Sequence, residues 1–181
     1  GGVGEDRCND LVLDQQGNIF ATGNLSDDVD FDPGTSVQNF NSSGGADAYL
    51  LMLDSMGNFG WVSTIAGSGG CTGNALAIGH DGAVVMAGSI NGSNDVDPSP
   101  NNAQTLATYG AIGTSLLWKL DSVGALVWAK TFEGPGVLDH EEGQDVAIDS
   151  QGYIYSTGFF RNTVDFDPGN GIANLSSSGG E

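Results

Sequence analysis

Short apolar runs broken by polar turns recur along this chain. Leu11-Val12-Leu13, Tyr49-Leu50-Leu51-Met52-Leu53 and Leu116-Leu117-Trp118 carry no polar residue at every second position. A strand with one wet face would alternate, so these runs predict sheets covered on both sides. In the first third of the chain the pattern predicts four strands, at 10–13, 19–23, 48–53 and 59–65. The first pair is joined by the turn Asp14-Gln15-Gln16-Gly17 and the second by Asp54-Ser55-Met56-Gly57, which makes two hairpins.

The same pattern returns. Residues 14–23 (DQQGNIFATG) recur as 149–158 (DSQGYIYSTG), with a degenerate copy at 79–88 (GHDGAVVMAG) between them. The offsets from Gly17, 65 to Gly82 and 135 to Gly152, also carry Asp30 and Asp32 onto Asp95 and Asp97, then onto Asp165 and Asp167. Leu53-Asp54-Ser55-Met56-Gly57, with Trp61 after it, recurs 67 residues later as Leu120-Asp121-Ser122-Val123-Gly124 and Trp128. The chain therefore holds about 2.7 copies of one unit, divided as 1–66, 67–134 and a partial 135–181. The expected fold class is all-β: four-stranded antiparallel units, each sandwiched by its neighbours, as in the blades of a β-propeller.

Together these motifs resemble the SBBP-type β-propeller repeat of bacterial secreted and surface proteins, in the variant with a Val-Asp-Phe-Asp-Pro-Gly loop, here at 29–34 and 164–169. The resemblance covers essentially the whole chain. It implies secretion and a repeat scaffold, and it implies no reaction. The middle copy departs from it, with Asp95-Val96-Asp97-Pro98-Ser99-Pro100 in the loop.

On this reading the last copy is half a blade, and its strand at 153–160 has an open hydrogen-bonding edge. A propeller needs at least four blades to close. The expected partners are thus the rest of a longer parent chain or further copies of the same chain joined head to tail, as in a fibre. A sheet solenoid that never closes is a third arrangement. The chain reads as a mature soluble protein or an excised piece, since its apolar stretches run to about six residues, too short to span a bilayer.

Composition narrows the classes. With 30 glycines and only four Lys or Arg, amphipathic helices lack both interior propensity and ion-pair support. A formal net charge of −19 repels nucleic acid and anionic lipid, so neither is an expected partner. Glu occurs only at 5, 133, 141, 142 and 181, leaving 18 of the 23 acidic residues as Asp, the carboxylate of turns and hard-cation sites.

Candidate chemistry follows from that Asp usage. Alternate residues of an extended segment share a face, so Asp28, Asp30 and Asp32, then Asp95 and Asp97, then Asp165 and Asp167, are candidate calcium ligands, with Val29, Phe31, Val164 and Phe166 turned inward. The competing reading makes each Asp-Pro-Gly a turn whose carboxylate accepts backbone N–H groups. The series is not an EF-hand, because Pro33 stands where that loop requires Gly. The insert at 135–142 gathers Asp139, His140, Glu141 and Glu142, either as a solvated loop or as a metal, carbohydrate-binding or enzymatic site at a propeller mouth. His80 reads as plain surface.

Cys8 and Cys71 fall near the start of a first strand in neighbouring units, and are either a disulfide between blades or two independent thiols. Asn24, Asn41, Asn91 and Asn174 begin Asn-x-Ser sequons, all expected in loops. Ser55 and Ser122, in Asp-Ser-apolar tips, are candidates for O-glycosylation. Trp61 and Trp128 are expected in the blade core. No nucleophile, zinc or phosphate-loop motif appears. The expectation is a non-enzymatic, extracellular or cell-surface scaffold or adhesive segment.

Overall fold

In the computed structural model, which describes residues 4–42, 44–108, 113–136 and 140–178, the hairpin turns follow one chemical rule. Asp14 Oδ1 accepts the backbone N–H groups of Gln16 and Asn18, each at 2.8 Å. Gly17 takes a φ of 82°, a left-handed conformation that closes the return and is costly with a side chain. Asp54, Asp121 and Asp149 make the same pair of bonds at their own turns. In the degenerate copy the acid sits two places later, and Asp81 Oδ1 takes the Ala83 N–H at 3.1 Å.

These turns lay out all-β units whose paired strands all run antiparallel. Unit one is β1 (Arg7–Leu13), β2 (Ile19–Leu25), β5 (Asp47–Leu53) and β6 (Phe59–Gly67), hydrogen-bonded in the order β1-β2-β5-β6. Unit two repeats it with β7 (Cys71–Ile78), β8 (Val84–Ile90), β11 (Thr114–Leu120) and β12 (Leu126–Phe132). Unit three is the pair β13 (Glu141–Ile148) and β14 (Ile154–Phe160). Among the described residues there is no helix, and so none long and apolar enough to cross a membrane.

Each unit also carries a small ribbon after its second strand, absent from the strands expected above: β3 (Asp28–Asp30) with β4 (Asn39–Asn41), β9 (Ser93–Asp95) with β10 (Thr105–Ala107), and β15 (Thr163–Asp165) with β16 (Asn174–Ser176). Only the start of each acidic loop is therefore strand: Asp30, Asp95 and Asp165 end β3, β9 and β15, and Asp32, Asp97 and Asp167 lie beyond them. The signal was the strict alternation Asp28-Val29-Asp30-Phe31-Asp32, which buries Val29 and Phe31 and leaves Asp28 and Asp30 exposed. Val164 is likewise buried, whereas Phe166 is not.

One bulge recurs in all three units, between Cys8 and Asp10, Gly73 and Ala75, and Gly143 and Asp145. Opposite it stand Gly23, Gly88 and Gly158, where a Cβ would run into the carbonyl oxygens of Arg7, Thr72 and Glu142. Only glycine admits that approach.

The largest hydrophobic cluster lies between units. It joins Phe20, Ala48, Leu50 and Ile65 of unit one to Leu76, Val84, Met86, Ile90, Leu116, Trp118 and Leu120 of unit two. A second cluster joins Ala75, Val85, Ala87 and Leu117 to Val146 of unit three. A third, Leu25, Val29, Phe31 and Tyr49, covers the other face of unit one with its own ribbon. Each fully buried side chain of this size contributes about 1.5–3 kcal/mol.

Candidate functional site

The carboxylates of the ribbons come first, and all three copies use them alike. Asp30 Oδ1 accepts the N–H groups of Asp32 at 3.0 Å and Gln38 at 2.9 Å, and Asp32 Oδ1 accepts that of Gly34 at 2.7 Å. Asp95 takes Asp97 and Gln104, and Asp97 takes Ser99. Asp165 takes Asp167 and Ala173, and Asp167 takes Gly169. The substitution in the middle copy leaves this wiring intact. The N–H groups of Gln38 and Asp32 hold the Asp30 carboxyl below its ordinary range, and those of Ala173 and Asp167 do the same for Asp165. Calcium takes six to eight oxygens. Among the described residues no group of three or more His, Cys, Asp or Glu comes together to hold a metal ion. The donor set fits the turn reading better than a calcium cage.

In the insert, Asp139 lies outside the described residues, His140 and Glu142 approach each other, and Glu141 between them turns to the other face. His140 stands edge-on to Phe159, with ring centroids 4.9 Å apart, and its Nε2 is 3.9 Å from Glu142 Oε2. Glu142 Oε1 accepts from Asn74 Nδ2 of unit two at 2.7 Å. Glu141, 1% exposed, and Glu142 both line a cavity of about 130 Å³ between units two and three, with Ser115, Phe132, Phe160 and Phe166. Alternation along β13 sends neighbouring side chains to opposite faces. His80 is exposed, with Nδ1 3.4 Å from Gln15 Nε2 of the neighbouring turn.

The bridge considered for Cys8 and Cys71 is not formed, and both are free thiols. Cys8 is exposed on the side of the unit-one sheet where Tyr49 packs, while Cys71 is buried in the cluster on the opposite side. The sheet itself separates them. Burial pushes the Cys71 thiol up to about 12.

The sequons are not all in loops. Asn24 lies in the central strand β2, Asn41 in β4 and Asn174 in β16, the latter two exposed. Asn91 is half-buried, and its Oδ1 accepts the Gly70 N–H at 2.7 Å. Ser55 and Ser122 are exposed on hairpin tips. Trp61 and Trp128 are half-buried rather than central.

The residues that organise the molecule are at the junctions, and several went unnoticed in the sequence. Asn9 Nδ2 donates to Gly73 O at 2.8 Å, and its repeat counterpart Asn74 donates to Gly143 O at 2.9 Å. Cys71 N donates to Ala46 O at 2.6 Å, and Glu141 N to Gly113 O at 3.0 Å. The second ribbon pairs with the end of the preceding unit's last strand, Asp95 opposite Ala66 and Asn94 opposite Gly67. Asp165 N repeats this on Glu133 O at 3.2 Å. Every one of these contacts occurs twice, one repeat apart. Asn9 and Asn74 share a repeat position, the one signal that pointed to them.

Comparison with known proteins adds no family: no family model matches the chain, and no curated protein matches it.

Proposed function

We propose that this chain is part of a non-enzymatic repeat scaffold, of β-propeller type and extracellular or cell-surface location, whose units serve to stack and to present turns and ribbons at the surface. The observation that carries this reading is the recurrence of the same inter-unit contacts at both junctions, which makes one unit's face the template for the next. Apolar side chains are exposed on the two outer faces, Leu11 and Leu13 on unit one and Tyr153 and Tyr155 on unit three. Such faces suit further units of the same kind, in the same polypeptide or another. Among the described residues every strand has at least one partner, and β14 is paired on one side only, so growth by stacking faces and completion of unit three are both compatible with this reading. In this proposal the ribbon carboxylates are structural, and calcium is not required.

A carbohydrate or metal site at His140 to Glu142 is the rival. The test is a thermal-shift screen of the intact chain against calcium, a chelator and a panel of monosaccharides, repeated with His140→Ala and Glu142→Gln. A scaffold shows no shift with any of them. A saturable shift that either variant abolishes overturns the proposal in favour of a ligand site.

A further inference from the structure

Unit two shows how a unit is finished. Its third strand, β11, pairs along β8 and places Leu116 and Trp118 over Ile65, Met86, Ile90 and Val96, where the indole N–H of Trp118 donates to Val96 O at 2.9 Å. The β11–β12 turn then reaches back to unit one. Trp61 Nε1 donates to Ser122 O at 3.3 Å, Ser63 Oγ donates to Gly124 O at 2.8 Å, and Gly124 lies against the Trp61 ring.

One repeat along, the receiving half of that arrangement is present. Phe132, Ser156, Phe160 and Phe166 are the counterparts of Ile65, Met86, Ile90 and Val96, and all four line the cavity of about 130 Å³. Trp128 is the counterpart of Trp61. Among the described residues no strand pairs with β14 on the side away from β13. Exposure tracks the difference: Val96 is 0% exposed and Phe166 37%.

We propose that the free edge of β14, the cavity over Phe160 and Phe166, and the Trp128 indole together form a socket for a polypeptide β-hairpin of this same repeat, with a large aromatic residue at the position of Trp118 and an Asp-Ser-x-Gly tip. The socket continues the established junction, and the hairpin seated on the equivalent surface of unit two is the pattern for its occupant. The aromatic fills the cavity, the strand takes up the open edge of β14, and the tip caps Trp128. Glu141 stays at the cavity floor, near the place Cys71 holds at the first junction. This inference rests on the repeat-scaffold reading above.

The test titrates a labelled synthetic peptide of residues 113–133 into the intact chain, reading anisotropy together with amide exchange of β14. Saturable binding with new protection along β14 is expected. The same peptide with Trp118→Ala should bind about 100-fold or more weakly, and Phe160→Asp in the chain should abolish the protection. As a second arm, the segment is fused after residue 181 through a flexible linker, which should raise the melting temperature. Three results overturn the proposal: no binding together with no gain on fusion, protection confined to the Leu11 and Leu13 face, or dimerisation of the chain alone that buries β14. A saccharide or metal shift in the screen above would sink the scaffold reading while leaving the peptide result standing, so the two failures are distinguishable.

Discussion

Between units one and two, Cys71, Leu76, Met86 and Ile90 meet Phe20, Leu50 and Ile65, and Leu116 and Trp118 close over them. Between units two and three, the counterparts Glu141, Val146, Ser156 and Phe160 rest on β13 and β14 alone, beside a cavity. The backbone contacts and the Asn9 and Asn74 bonds are nonetheless the same at both junctions. Register between units is therefore set by the first strand and the ribbon, and apolar sealing by the third strand. The front of unit one makes the same point, since Leu11 is 55% exposed while Leu76, its counterpart, is 4% exposed under unit one.

The sharpest way to break the comparison is to unseal the closed junction. Trp118→Ala should cost about 3–5 kcal/mol, as large aromatic truncations in cores do, and Trp128→Ala, half-buried, should cost less than half of that. Urea unfolding followed by circular dichroism measures both, and equal losses would show that the two junctions are sealed alike. Next come residues at one repeat position: Val96→Ala should cost about 1.5–3 kcal/mol, and Phe166→Ala, already partly in water, should fall well short of the about 3–5 kcal/mol of a fully buried Phe. The same unfolding curves decide it.

Removing the registering bonds should have a smaller and more even effect. Asn9→Ala and Asn74→Ala should each destabilise by about 1 kcal/mol, with Asn74 the more costly because it also holds Glu142. A difference in the opposite order would mean that the second junction is not registered by this contact. The smallest effect is confined to the ribbons. The folded pKa of Asp30 and Asp165 lies below the ordinary 3.8, so their contribution is complete above that value and is lost as pH falls through the lower folded one. Amide protection at Gln38 and Ala173 should stay level from neutral pH to about pH 5 and then drop below 3.8. Protection that is unchanged at low pH would show that the carboxylates do not hold these ribbons.

Much of this plan was legible beforehand because local chemistry decides it. An Asp that can accept two N–H groups, followed by a Gly free to turn left-handed, makes the same hairpin wherever it occurs, as at Asp14, Asp54, Asp121 and Asp149. The ribbons were harder to see. Three-residue strands have too short a period to stand out, and their Asp residues suited both a cation and a turn. The cysteines misled for a different reason: two positions apart in the repeat, they occupy the same face of successive units, so Cys71 turns toward unit one while Cys8 turns away from unit two, with the unit-one sheet between them.

What the sequence determined by itself is the unit: its strands, its turns and its spacing, all consequences of hydrogen bonds and apolar periods within a few residues of one another. What the tertiary structure alone decided is which faces meet and which stay open. Trp118 and Phe166 both read as inward-facing apolar residues and Glu141 as part of an acidic insert, yet Trp118 is sealed while Glu141 and Phe166 line one cavity, Phe166 partly open to water. The reason is physical: burial on a sheet face depends on whether a neighbouring strand or unit covers it, and no short stretch of chain records its neighbour.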